Sequence, residues 1–188
     1  EPWAGERAVY CGFLDEPPAL TPTPRDCVLV YLGAGSVPAG VAIRAGQELA
    51  DALGCDVYVA GVPEAVRISG GYTVACAPRF DFAELLPRAR VFVHHGGQNS
   101  MMDALSYEVP QVLVPGRVFE RQFNAEAVES ARCGLTVREP KPTLIARAAR
   151  RLVVDEPALT SGIRGLRAEL SSLGGTKRIV REVEKLVS

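Results

Sequence analysis

The chain has 188 residues, 47% of them hydrophobic, with 18 glycines and 14 prolines, enough for one well-buried domain and with no compositional sign of two. Its formal net charge of −1, with acidic and basic residues mixed along most of the sequence, gives no electrostatic case for nucleic acid or an anionic membrane surface. Five cysteines without a C-x-x-C pair argue against a disulfide framework and a zinc site, and no apolar run reaches membrane-spanning length or looks like a signal peptide. A reducing cytoplasm is the expected setting. A start at Glu1 rather than Met fits a segment cut from a longer chain.

Residues 1–26 are rich in proline and carry turn signals at Asp15-Glu16-Pro17-Pro18, Pro22 and Pro24, so they read as an extended lead-in or interdomain linker ahead of a domain over 27–188. Cys27 to Leu32 is an apolar run of strand length, ended by Gly33-Ala34-Gly35-Ser36. Ala42, Ala45, Leu49, Ala52 and Leu53 then recur at helical spacing, with Arg44, Gln47, Glu48 and Asp51 on the other side and Gly54 as a stop. Further short apolar strands are predicted at about 55–60, 72–76, 90–94, 111–115 and 134–137, with helices at about 81–89, 100–108, 121–132 and 142–154. The tail from about 157 to 188 reads as helical, its last apolar stripe being Ile179, Val180, Val183, Leu186 and Val187. Strands without polar alternation, separated by helices, predict an α/β fold: a Rossmann-like, doubly wound parallel sheet of about six strands with helices on both faces.

In such a sheet, ligands sit at the carboxyl ends of the strands, where the chain order changes direction. Four loops there carry unusual chemistry: Gly33 to Ser36, Ala77 to Asp81, His95 to Ser100 and Pro115 to Asn124. The third is the most informative. Val91 to His94 read as strand, Gly96-Gly97 allow a tight turn, and Asn99 or Ser100 is placed to cap the helix that follows. Free N–H groups and the positive end of a helix dipole would then face an anion such as a phosphate, with His95 and Ser100 as side-chain donors beside it.

His95-Gly96-Gly97-Gln98-Asn99-Ser100, Asp103-Ala104-Leu105, Val109-Pro110, Val114-Pro115 and Gln122-Phe123-Asn124-Ala125-Glu126 together resemble the nucleotide-sugar signature of GT-B glycosyltransferases, nearest to the family 1 enzymes that include bacterial antibiotic glycosyltransferases. Val9 to Leu14 resembles the linker into the C-terminal domain of those enzymes. The resemblance therefore covers only the donor-binding C-terminal half of a two-domain enzyme. It implies that His95, Gly96, Gly97, Asn99 and Ser100 hold the donor diphosphate, joined by Gly35 and Ser36, and that Asp103, where the family has a glutamate, grips the ribose. Glu120 and Gln122 match an acidic-plus-glutamine pair that binds the sugar, but Arg121 intervenes, so Arg121 or Gln122 takes the glutamine position. Many relatives carry a base-stacking tryptophan where this chain has Cys76-Ala77-Pro78-Arg79. Base recognition then rests on Ala77, Pro78 and Arg79, with Phe80 a further platform, and the choice between UDP and dTDP stays open.

Several bland readings stand beside these. His94, by strand alternation, faces away from His95 and reads as structural; Asn99 and Ser100 would look the same as plain caps, and a carboxylate such as Asp103 is favoured in a first helical turn by the dipole alone.

The implied chemistry is inverting transfer of a hexose or deoxysugar from a UDP- or dTDP-sugar to a small-molecule acceptor, without cofactor or metal, the leaving diphosphate being stabilised by N–H groups, the helix dipole, His95 and Ser100. The general base belongs to the missing acceptor-binding domain, supplied in cis or by a partner subunit, so this chain alone is expected to bind donor without turnover. A natural donor subunit of a split enzyme and a non-catalytic or epimerase-like nucleotide-sugar module are the alternatives. In the family the last helix crosses onto the acceptor domain, which leaves its stripe open to self-association here.

Overall fold

The computed structural model describes residues 9–33 and 37–187. Branched apolar runs form the middle of the sheet: Val28, Leu29 and Val30 of β1 (Cys27–Tyr31), Val57 and Val59 of β2 (Asp56–Ala60) and Val91, Phe92 and Val93 of β5 (Ala89–His94) are wholly enclosed. Each such side chain contributes about 1.5–3 kcal/mol relative to leaving it in water. With β3 (Val66–Ser69), β4 (Thr73–Ala77), β6 (Gln111–Leu113) and β7 (Gly134–Thr136) the order is β3-β4-β2-β1-β5-β6-β7. Every pairing is parallel except the antiparallel β3–β4 hairpin.

The sheet thus has seven strands rather than the expected six or so. The extra strand is β3, and it escapes a search for apolar runs because Val66, Arg67 and Ser69 are exposed. It is an edge strand returned by the Gly70-Gly71 turn, held by backbone pairing to β4 instead of by burial.

Alternation along the strands feeds two faces. Val28, Val30, Val91 and Val93 pack with Ala45 and Leu49 of α1 (Ala39–Leu53) and Ile145 and Ala149 of α5 (Pro142–Arg150). On the opposite face Leu29, Phe92 and Leu113 meet α2 (Phe82–Leu85), α3 (Gln98–Ser106), α4 (Phe119–Ser130) and α6 (Ile163–Ser172). α1 stops where expected, at Gly54, whose φ of 63° lets its N–H reach the Ala50 carbonyl. The helix expected over 81–89 shortens to α2 and a 3₁₀ turn at Leu86–Arg88, because Pro87 interrupts it and Ala89 already belongs to β5. The helical tail is broken at Gly174 and Gly175, both at positive φ, before α7 (Gly175–Val187).

The described part of the lead-in, residues 9–26, lies against the domain. Phe13 is buried with Leu105, Leu113, Val128 and Ile163. Arg167 donates to the carbonyls of Ser106 (2.9 Å) and Pro18 (2.7 Å), and Arg25 donates to those of Ala89 and Tyr107, both at 2.9 Å. Gly175 N–H meets the Cys11 carbonyl at 2.7 Å. All five cysteines are free thiols, and burial pushes those of Cys27 and Cys133 up to about 11, which leaves them inert at neutral pH.

Candidate functional site

The chain runs outward from β1 to β2 and β4, then restarts on the other side of β1 with β5, β6 and β7. The order therefore reverses between β1 and β5. Their carboxyl ends, Tyr31 and His94, are paired partners, so a crevice is expected above them. Because β1, β4, β5 and β6 run the same way, the loops after all four open on that edge.

Above β5 the chain makes a turn whose every residue is fixed. His95 leaves the strand with its N–H on the Tyr31 carbonyl at 3.2 Å, and its Nδ1 lies 3.4 Å from the same oxygen. A carbonyl only accepts, so Nδ1 carries a proton and the neutral ring presents a bare Nε2. That Nε2 hangs over Gly97: a Cβ there would lie 2.6 Å from it. Burial lowers the His95 basicity below its ordinary value, nearby Arg121 lowers it further, and the Tyr31 carbonyl and Glu120 pull it back. Gly96 has φ +86°, its N–H donates to Nδ1 of His94 at 3.1 Å, and its carbonyl accepts from Asn124 Nδ2 at 2.9 Å.

Gly97 is the N-cap of α3, with extended backbone and no side-chain cap. The helix therefore starts at Gln98, two residues before the expected position, and neither Asn99 nor Ser100 caps it. Both lie within its first turn, where Asn99 is exposed and Ser100 buried. The first amides of α3 are left without a capping side chain directly under His95 Nε2, the arrangement that receives an anion. Gly96, by contrast, turns its amide inward to His94.

Asp103 follows one turn after Asn99 and shares with it the wall of a groove of about 580 Å³, closed on the far side by Gly12 to Pro18 of the lead-in. Partial desolvation raises its carboxyl above the ordinary value. Glu120 and Gln122 are exposed at the start of α4; Gln122 folds back to the Gly116 carbonyl at 2.9 Å, and the backbone of Arg121 lies under Gly96. Ala77, Pro78 and Arg79 stand farther off, three strand spacings or about 14 Å from β5. The carbonyls of Ala77 and Pro78 already accept from Val62 and Gly61, and Phe80 packs edge-on to Tyr58 at 5.4 Å. Gly35 and Ser36 lie outside the described residues. Among the described residues no three His, Cys, Asp or Glu side chains converge as a cation site, and no helix is long and apolar enough to cross a membrane.

Comparison with known proteins decides the family. Residues 53–186 match the erythromycin biosynthesis protein CIII-like, C-terminal domain. The chain belongs to this family. A relative of known name, the aclacinomycin-T 2-deoxy-L-fucose transferase of Streptomyces galilaeus, is 27% identical over 193 residues, spanning 100% of this chain and 43% of the relative. The NDP-glycosyltransferase YjiC of Bacillus subtilis is 28% identical over 102 residues, 54% of this chain and 26% of that protein. Among solved structures, a calicheamicin glycosyltransferase superposes with a TM-score of 0.76 at 25% identity over 96% of this chain and 48% of its own. Glycosyltransferase SsfS6 of Streptomyces sp. SF2575, complexed with thymidine diphosphate, gives 0.67 at 28% identity over 95% of this chain and 47% of its own. The CIII-like fold here is thus the α/β fold found in the C-terminal half of GT-B glycosyltransferases, and the chain spans less than half the length of these relatives.

Two features of this CIII-like site are not legible in the sequence motif. The lead-in wall depends on Arg25 and Arg167, which are far apart in the chain. The inward bond from Gly96 to His94 is made by a backbone amide, which leaves no mark in the pattern of side chains.

Proposed function

We propose that this chain is the donor-binding half of an inverting glycosyltransferase that moves a hexose or deoxysugar from a UDP- or dTDP-sugar to a small-molecule acceptor. The observation that carries the reading is the uncapped start of α3 beneath His95 Nε2 at the β1–β5 switch point. The diphosphate sits over the first amides of α3 with His95, Asn99 and Ser100 around it, and Asp103 takes the ribose in the groove beside the lead-in. Glu120, Arg121 and Gln122 are the sugar-side residues. Support for a nucleoside diphosphate comes from the thymidine diphosphate complex of the 28%-identical SsfS6. No metal or cofactor enters the proposal, and a cytoplasmic setting is part of it.

As the leaving diphosphate gains charge, the fixed amides stabilise it at no reorganisation cost, which is where such a site accelerates transfer. The base that deprotonates the acceptor belongs to an N-terminal acceptor domain, in cis or on a partner subunit. Titration of the purified chain with dTDP and UDP tests the reading. His95→Ala is expected to weaken the better ligand about tenfold or more and Asp103→Ala about three- to tenfold. Equal affinity in all three proteins would sink the assignment, and sugar transfer by the chain alone would contradict the missing-base part.

The outer face of α7 exposes Val180, Val183, Leu186 and Val187. We read this stripe as the surface that meets the acceptor domain and, in its absence, pairs with a second copy. Sedimentation is expected to show a dimer that Leu186→Glu dissolves; a strict monomer at high concentration contradicts it.

A further inference from the structure

We infer that His94, wholly buried beneath the turn, is a positioning residue for nucleotide binding: it holds the Gly96 amide and so fixes the turn that carries His95 and the start of α3. The inference rests on the reading of that turn as the diphosphate site. Three observations lead to it. The Gly96 N–H donates to His94 Nδ1 at 3.1 Å, so Nδ1 is bare and the ring proton sits on Nε2. That Nε2–H donates to Gln111 Oε1 at 2.9 Å, from the next strand. The ring lies on Phe92, 4.8 Å between centroids, and both His94 and Gln111 are wholly buried.

The arrangement is costly for a core. Gln111 Nε2 has no partner although it is shut off from water, and an apolar pair of the same shape would avoid that loss. A buried polar chain with one unsatisfied end is poor packing but a good register pin. What it pins is specific: Gly96 is gripped at its N–H by His94 from β5 and at its carbonyl by Asn124 from α4. With both ends of Gly96 held, the position of Gly97, and of His95 Nε2 above it, follows.

The test separates positioning from packing. The double variant His94→Phe/Gln111→Leu replaces the polar chain by apolar side chains and is expected to unfold in urea no earlier than wild type, yet to bind dTDP about tenfold more weakly. If this variant binds like wild type, His94 is only packing and the inference falls. Should the variant not fold, two single changes carry the test. In His94→Asn, Oδ1 stands near the place of Nδ1 and accepts from Gly96; in His94→Gln the amide reaches only Gln111. Asn is expected to bind within about threefold of wild type and Gln about tenfold worse; no difference between them overturns the inference. Nitrogen NMR of wild type is expected to show the Nε2–H tautomer, and an Nδ1–H tautomer overturns it too. If wild type binds neither dTDP nor UDP, the proposed function fails and takes this inference with it; the inference fails alone when wild type binds and the double variant matches it.

Discussion

Gly97→Ala is expected to weaken dTDP or UDP binding about tenfold or more, as much as removing the His95 side chain. A methyl group at position 97 would sit 2.6 Å from His95 Nε2 and 3.4 Å from the adjoining ring carbons, so the imidazole must swing off the turn. The backbone itself tolerates the change, since Gly97 has φ −66° and ψ 146°, open to any residue. Loss of binding would therefore report displacement of His95. In a double-mutant cycle, His95→Ala/Gly97→Ala should bind no worse than His95→Ala, because the alanine has nothing left to displace. Additive losses would show that Gly97 acts through something other than the ring.

The same geometry gives a pH dependence. With Nδ1–H committed to the Tyr31 carbonyl, Nε2 can donate to a diphosphate only as the imidazolium. Free His95 is held below its ordinary basicity by burial, so it is neutral at neutral pH, and an adjacent dianion raises it. A nucleotide sugar, whose diphosphate diester does not itself titrate near neutrality, should bind more tightly as pH falls from about 8 to about 6, and His95→Gln should flatten that rise.

The second large effect is acid destabilisation through His94. Full burial holds its imidazole down at about 3, against an ordinary value of 6.5; the Gln111 bond offsets a little, and nearby His95 adds a little more depression. Between those values the unfolded chain binds a proton that the folded chain refuses. Stability from this group is thus complete above about pH 6.5 and falls as pH drops toward about 3, by up to about 1.4 kcal/mol per pH unit. Urea unfolding at several pH values should show this slope in wild type and lose it in the double variant at 94 and 111. Parallel curves for the two proteins would mean that His94 is protonated in the folded state.

Much of the framework was legible because burial on both faces leaves a plain trace. Unbroken runs such as Cys27 to Leu32 and Val91 to Val93 can only be interior parallel strands once helices separate them. β3 was not legible, since an exposed edge strand holds itself by backbone bonds that leave no apolar pattern. The start of α3 lies two residues before the expected position for a related reason. Asn99 and Ser100 are good caps by residue type, but the turn hands that position to Gly97, whose lack of a side chain is what lets His95 lie over it. His94 shows the limit most clearly. Alternation separates it from His95, and it is wholly buried, but a residue shut in the core can still hold, through one backbone amide, the turn that meets a ligand.

Amide chemical-shift mapping of the chain during titration with dTDP shows where the nucleotide sits without presuming which residue matters. The largest changes are expected at Gly97 to Ser100 and Asp103, with the His95 side chain shifting in step and the opposite edge, around Arg25, Arg90 and Arg164, silent. Changes centred on that arginine-lined edge, or none at the start of α3, would contradict the proposed site.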